Sequence, residues 1–364
     1  MASRTEHLAA KMFSEPHHFA ADVEQRGISF HGTFVQDWSN EWNDADDPAT
    51  GFGRYSLDLA MAVDGEKLAG WKGSNAAVRL KQHIVEFGSG DGYVEQLYSN
   101  IDASSRTYLY ELWLEQQLGG SRLRLKGGKF DANSEFAVVV GAGDFINSSM
   151  GYSPTIMAFP TYPSPKLGLG AFLKVSNSSA VSAGVFQTDG WGTLTVIEPG
   201  RRWTAAGDNE GRVSIGYWRL DGDIPHWDGS RSGSTRGVYG VLEQSLWRAA
   251  SSEPEKGRRL SSFLQLGHSN AAVSTFSGHA GAGFVLQSPL ARRAGDSLGI
   301  AATWVNTSSQ MTAAANPGSE LVLESYYKIL ISRWVALLED FQYFRQAAGE
   351  GDGPVTTSRL IVTF

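Results

Sequence analysis

The chain has 364 residues, no Cys and a formal charge of −7, with 42 Gly, 11 Trp, 12 Tyr and 18 Phe. The missing Cys excludes a disulfide framework and thiolate metal sites, and no basic run interleaved with aromatics points to nucleic acid. No apolar stretch reaches the 18 residues of a membrane-spanning helix, and a mean hydropathy of −0.23 fits a soluble protein or a β-barrel with a wet interior.

Met1-Ala-Ser-Arg-Thr lacks the apolar core of a signal peptide. The chain is either cytoplasmic or a mature exported form with a new initiator Met, and the second agrees with the rest of the sequence. Residues 1–26 are expected to be helical. Leu8, Met12 and Phe13 share a face, Phe19 and Val23 continue it, and Gly27 offers a stop. Beyond Gly27 the period becomes that of strands. Ile28, Phe30, Phe34 and Trp38 form one run, Tyr55 to Val63 a second, and Val78, Leu80 and Ile84 a third, alternating with Arg79, Lys81 and His83. An acidic loop lies between the first two. Its Asp44, Asp46 and Asp47 could in principle hold calcium and read better as a solvated loop. A short helix is expected over 92–101.

The next stretch is a hairpin about Gly119-Gly120. A side-chain period of two puts Tyr108, Tyr110, Leu112 and Leu114 on one face of its first arm. Glu111, Trp113, Glu115 and Gln117 take the other. On the second arm Leu123 and Leu125 oppose Arg122, Arg124 and Lys126. In a soluble sandwich the apolar face would form the core. In an outer-membrane barrel it would meet lipid, and the charged face would line a channel. The hairpin alone does not choose.

Residues 132–166 break the rhythm. The segment carries Pro154, Pro160, Pro163 and Pro165 and five aromatics: Phe136, Phe145, Tyr152, Phe159 and Tyr162. A loop this long is usually functional or disordered, and its aromatics imply that it packs on something. Alternation then resumes in ten runs near 167–176, 180–189, 210–220, 235–249, 258–268, 278–289, 297–307, 319–331, 333–345 and 354–364. Roughly fifteen strands of about ten residues suit a tilted membrane barrel, for which an even closure near 16 is natural. The expected fold class is therefore all-β, with residues 27–364 forming a single transmembrane antiparallel barrel. The last run places Leu360, Val362 and the terminal Phe364 on one face, which resembles the C-terminal signal of bacterial outer-membrane barrels.

Longer matches point the same way. Gly127-Gly-Lys-Phe-Asp-Ala-Asn-Ser-Glu-Phe136, Asp144-Phe-Ile-Asn-Ser-Ser-Met-Gly-Tyr-Ser-Pro-Thr155 and Tyr162-Pro-Ser-Pro165 come first. Gly237 to Gln244, Glu324-Ser-Tyr-Tyr-Lys328 and Leu338-Glu-Asp-Phe-Gln-Tyr343 follow in order. Together they resemble the carbohydrate-selective porin family known as OprB. That family's Trp-Gly-Gly motif near the start is absent, and Glu15 to Ala21 stand there instead. The resemblance implies a 16-stranded outer-membrane barrel with an inward-folded loop that narrows the pore. It implies passive diffusion of sugars or similar small polar solutes, and it places Lys129, Asp131, Asn133 and Asn147 at the junction of loop and wall.

On this reading Arg79, Lys81 and His83 form one inward row and Arg122, Arg124 and Lys126 another, with Glu111 and Glu115 beside the second. Rows of opposite sign facing across a narrow pore would favour solutes that offer both donors and acceptors. Trp113 would give a sugar ring an apolar surface. The basic rows leave open an anion- or acid-sugar-selective pore, and a soluble all-β sugar-binding protein is the remaining alternative. Hydrolysis by Glu111 and Glu115 is disfavoured. Four residues along a strand separate them by roughly 13 Å, whereas glycosidase pairs need about 5–9.5 Å. His17-His18 has no partner at metal spacing, and Gly88-Ser-Gly-Asp-Gly92 lacks the Lys of a phosphate loop. No cofactor is implied. The expected partners are the solutes and outer-membrane lipid, with monomer and homotrimer both open.

Overall fold

The computed structural model describes residues 23–41, 50–85, 94–190, 192–249, 257–311, 318–347 and 351–364. Sixteen strands lie among them: β1 (Ile28–Glu41), β2 (Thr50–Asp64), β3 (Ser74–Val85), β4 (Arg106–Leu118), β5 (Leu123–Phe130), β6 (Lys166–Lys174), β7 (Ser179–Gln187) and β8 (Thr193–Ala205), then β9 (Asn209–Pro225), β10 (Arg231–Arg248), β11 (Arg259–Ser269), β12 (Phe276–Gln287), β13 (Ser297–Thr307), β14 (Ser319–Leu330), β15 (Val335–Ala347) and β16 (Gly351–Thr363). Each pairs with its sequence neighbours, and β1 pairs antiparallel with β16, so the sheet closes on itself. Closure leaves no strand edge unpaired, which a sheet surrounded by hydrocarbon requires.

The barrel is inside-out relative to a soluble sandwich. Phe30, Leu112, Leu169, Ile215 and Ile300 are more than half exposed on its outer face. Asp37, Arg54, His83, Gln265 and Arg359 are buried on the inner one. Residues of these types take the opposite places in water. Leu360 and Val362 are half-buried at the outer wall, as their alternation predicts. The terminal Phe364 exchanges backbone hydrogen bonds with Gly32 of β1, at 2.7 and 2.9 Å.

Four expectations are corrected. The strand missing from the sequence pattern is β8, where Pro199-Gly200 hides the alternation. The β8–β9 register has no pair at Glu198 or Pro199, because proline has no N–H to give the ladder. Residues 94–101 form no helix. They run irregularly into the barrel, and Tyr98 is fully buried there. Tyr108 and Tyr110 do not face lipid with Leu112. Arg79 pairs with Glu111 while Leu80 pairs with Leu109, so Tyr110 is the extra residue of a β-bulge. The bulge turns both tyrosines inward. Lys129 points outward, for it pairs with Leu112 and Leu167, both exposed, and its ammonium donates to the Leu109 carbonyl.

Of the helical segment expected over 1–26, the described part is 23–26. Val23 to Gln25 are helical, and Gly27 ends the turn at φ 89°. His17-His18, the Asp44–Asp47 loop and the Gly88–Gly92 run lie outside the described residues. The turn opened by Asp64-Gly65 is a five-residue helix, α1 (Gly65–Ala69), whose first N–H groups are capped by Asp64.

Residues 131–165 between β5 and β6 fold into the lumen. Short 3-10 turns at Ala132–Ser134, Val140–Ala142 and Pro154–Ile156 and a helical turn at Ser148–Gly151 shape the segment. The expected packing is observed. Phe136, Ile156 and Phe159 join Phe186, Leu194, Trp218 and Tyr239 of the wall in one dry cluster. Phe145, Ile146 and Met150 join Val241, Phe263 and Tyr326 in a second. The apolar core of this molecule thus lies between loop and inner wall.

Candidate functional site

The inner wall opposite the loop is built from neighbouring strands, and alternation aims their charges at one another. Arg79 on β3 ion-pairs with Asp58 on β2 and donates to Glu111 on β4 at 3.0 Å. Lys81 pairs with the same Asp58 at 3.3 Å, and its ammonium stands over the rings of Tyr110 and Tyr162. His83 is buried, with its two ring nitrogens paired to the hydroxyls of Tyr108 and Tyr162. The charges therefore neutralise each other along the wall rather than facing across the lumen. Asp58, absent from the expected set, is the hub.

β5 carries the second row. Arg124 donates to Glu115 at 2.9 Å and to Glu135 on the loop at 2.6 and 3.2 Å. Lys126 reaches Glu135 at 2.8 Å and lies 4.2 Å from the centre of the Trp113 ring. Burial by itself raises the Glu135 carboxyl. The hydrogen bond from Arg124 and the charge of Lys126 outweigh it and hold the group below the usual carboxylate range. Arg122 sits in the exposed turn, its guanidinium 3.4 Å from the Lys174 carbonyl.

Asp131 clasps both ends of the loop. It accepts from the Asn133 N–H at 2.8 Å, the Thr161 hydroxyl at 2.6 Å, the Tyr162 N–H at 3.2 Å and the Tyr110 hydroxyl. The Asp131 N–H donates to Glu111, which ties the clasp to the wall. Asn133 donates to the Phe136 carbonyl. Asn147 is buried on the far side of the loop, where its amide donates to Gln342 of β15 and to the Gln96 carbonyl. Asp131 and Asn147 thus bond the loop to the wall, Asn133 bonds within the loop, and Lys129 lies on the outer face.

Several anchors escape the sequence pattern because their partners are remote. Glu324 of β14 accepts from the N–H groups of Ile146 and Asn147. Gln265 of β11 donates to the carbonyls of Ser149 and Met150, both at 2.7 Å. Glu198 of β8 accepts from the Ala137 N–H, and Lys328 reaches Asp144 at 2.6 Å. Glu320 accepts from the N–H groups of Glu95 and Gln96, which brings residues 94–101 against the loop. Ser148 then donates to the Leu97 carbonyl and Asn100 to that of Ile146. One signal was available: Glu324, Lys328 and Gln342 all lie in the stretches that carry the family resemblance.

A cavity of about 380 Å³ remains between loop and wall, lined by Ser134 and Glu135 on one side and by His31, Thr33, Asp58, Arg79, Glu111, Trp113 and Lys126 on the other. Donors and acceptors alternate around it. The Trp113 indole N–H is buried without a protein partner. Among the described residues no cluster of His, Asp and Glu is arranged to hold a metal.

Comparison with known proteins agrees with this geometry. The fold is similar to that of Pseudomonas putida OprB solved at high pH, with a TM-score of 0.87, 15% identity and 97% of each chain covered. The low-pH structure of the same protein gives 0.68 at 16% identity, covering 97% of this chain and 98% of that one. OccAB1 of Acinetobacter baumannii gives 0.56 at 11% identity, with 93% and 96% covered. No curated protein sequence matches the chain. Residues 53–364 match the family described as "Carbohydrate-selective porin, OprB family", and on that match the chain belongs to the OprB family of carbohydrate-selective porins of the bacterial outer membrane.

Proposed function

We propose that the 380 Å³ cavity is the station at which a sugar passes the constriction. The carrying observation is its lining. Asp58, Glu111 and Glu135 present acceptors, Arg79 and Lys126 present donors, and the Trp113 ring lines the same space. A sugar hydroxyl both donates and accepts, so one small solute can answer every group. The carboxylates and cations are already paired with one another, so each contact with the solute exchanges for one it replaces. Binding is then weak, which suits a solute that must also leave. Ser134 and the indole add polar and apolar contact without charge. The station binds and releases, and no bond of the solute is broken.

The barrel's outward leucines face outer-membrane lipid. One chain closes the whole barrel, so on this reading each barrel conducts by itself whether it stands alone or in a trimer. Reconstitution in planar bilayers tests the reading. Glucose is expected to reduce the single-channel current of the unsubstituted protein, and Trp113→Ala, which removes the indole surface, to weaken that block. Conducting channels whose current ignores glucose would overturn it.

A further inference from the structure

A larger cavity, about 1050 Å³, opens beyond the loop toward the mouth formed by the short turns at 119–122 and 175–178. Glu135 lines both cavities, so the two lie side by side about it. We infer that this vestibule is a second binding station, for solutes carrying a carboxylate or a phosphate. The inference rests on the chain conducting as proposed above.

The charge balance of the vestibule carries it. Its carboxylates are Glu135 and Glu198, and both are engaged: Glu135 by Arg124 and Lys126, and Glu198 by the Ala137 N–H and the Tyr239 hydroxyl. Its basic residues outnumber them. Arg212 is matched by Glu243. Arg122, Lys174 and Arg202 have no carboxylate within ion-pair distance among the described residues, and all three are exposed. A surplus of positive charge in a lined cavity is notable in a chain of formal charge −7 and concentrates anions locally.

A second observation is independent. Arg202 of β8 and Arg212 of β9 are directly opposite in register. Like charges in that position repel; Glu243 offsets the charge of Arg212, and an anion beside Arg202 offsets the charge that is left. Alternation from Arg124 and Phe172 turns Lys174 inward, and the register with Arg212 does the same for Arg202. The ligand is thus a solute in the lumen rather than a lipid headgroup outside it. Val138 and Val140 of the loop and Phe172 of the wall supply apolar contact for a carbon skeleton.

The test uses the full chain in planar bilayers of neutral phosphatidylcholine, so that no lipid supplies the anion. Potassium gluconate is the anionic probe and glucose the neutral control. The unsubstituted channel is expected to prefer chloride over potassium at 0.01 M salt, where the screening length is roughly 30 Å, and to lose the preference near 1 M, where it is about 3 Å. Lys174→Gln with Arg202→Gln is expected to lower the anion preference and the gluconate block at least about threefold at low salt, with glucose block unchanged. Selectivity and gluconate block that survive the double substitution would overturn the second station and leave the first intact. So would an equal fall in gluconate and glucose block. Absence of conductance in the unsubstituted protein would instead overturn the porin station on which both rest.

Discussion

Arg124 and Glu135 meet across the gap between wall and loop through two hydrogen bonds, of 2.6 and 3.2 Å, with Lys126 closing on the same carboxylate at 2.8 Å. This clamp sets how far the loop stands from β5. Glu135→Gln keeps the volume and one acceptor but removes the charge that neutralises two cations. Charge-assisted bonds of this kind contribute about 1.5–3 kcal/mol each. The expected outcome is a noisier open channel with a stronger anion preference, read from single-channel records and reversal potentials.

The same clamp gives a pH dependence with a definite sign. Burial raises the Glu135 carboxyl, but Arg124 and Lys126 hold it below its ordinary value. A depressed carboxylate contributes stability that is fully present above its unfolded pKa of about 4.3 and is lost as pH falls through the lower folded value. Current fluctuations are therefore expected to be unchanged from pH 7 to about 5 and to grow below about 4. Glu135→Gln should be noisy throughout and lose this transition, and a variant that kept it would assign the pH effect elsewhere.

Period-two alternation made most strands legible because the two faces of a membrane barrel meet opposite solvents, hydrocarbon and water. It failed where backbone geometry interrupts the count. Pro199 hid β8, and the bulge at Tyr110 inverted the faces of Tyr108 and Tyr110 while leaving Leu112 outward. The constriction loop was legible from its length and its aromatics. Its anchors were not, since Glu324 and Ile146 lie 178 positions apart and no local pattern pairs them. Lys129 shows the converse error: the resemblance put it at the junction, although counting outward from Lys126 puts it on the lipid face. Arg79, Lys81 and Glu111 face inward, and their near neutrality depends on Asp58, visible only once β2 and β3 are in register.

Asp131 holds the two ends of the loop together with four accepted hydrogen bonds. Asp131→Asn keeps one acceptor oxygen and presents an NH₂ group to the remaining donors. Asp131→Ala removes all four contacts. Loop protection is expected to fall in the order native, Asn, Ala, with the alanine variant losing at least about 2 kcal/mol. Limited proteolysis within 131–165 on the detergent-refolded protein measures it. Equal protection in all three would mean that the aromatic clusters alone hold the loop.

Glu324 secures the loop's far side. It is buried and accepts from the Ile146 and Asn147 N–H groups. Glu324→Ala orphans two buried donors at about 1–3 kcal/mol each, whereas Glu324→Gln retains an acceptor. The alanine variant is expected to show a larger and more variable conductance, and the glutamine variant to stay near native. If both behaved alike, the carboxylate charge rather than the hydrogen bonding would be the anchor.

Barrel closure makes a prediction that does not involve the pore. Gly32 faces the Phe364 ring on the outer wall, and a Cβ at position 32 would overlap that ring. The same two residues exchange both backbone hydrogen bonds at the β1–β16 seam, so either the exposed Phe364 ring swings aside and gives up its contact with β1 or the last rung of the closure opens. Gly32→Ala is therefore expected to cost about 1–3 kcal/mol through overpacking and to lower the temperature at which the folded band is lost on a heat-modifiability gel. Phe364→Ala removes the ring that the new methyl would strike. In that background Gly32→Ala should cost much less, because the two changes share one contact and are not additive. A cycle that came out additive would show that the seam tolerates the methyl by shifting backbone, and that Gly32 is there for some reason other than the ring.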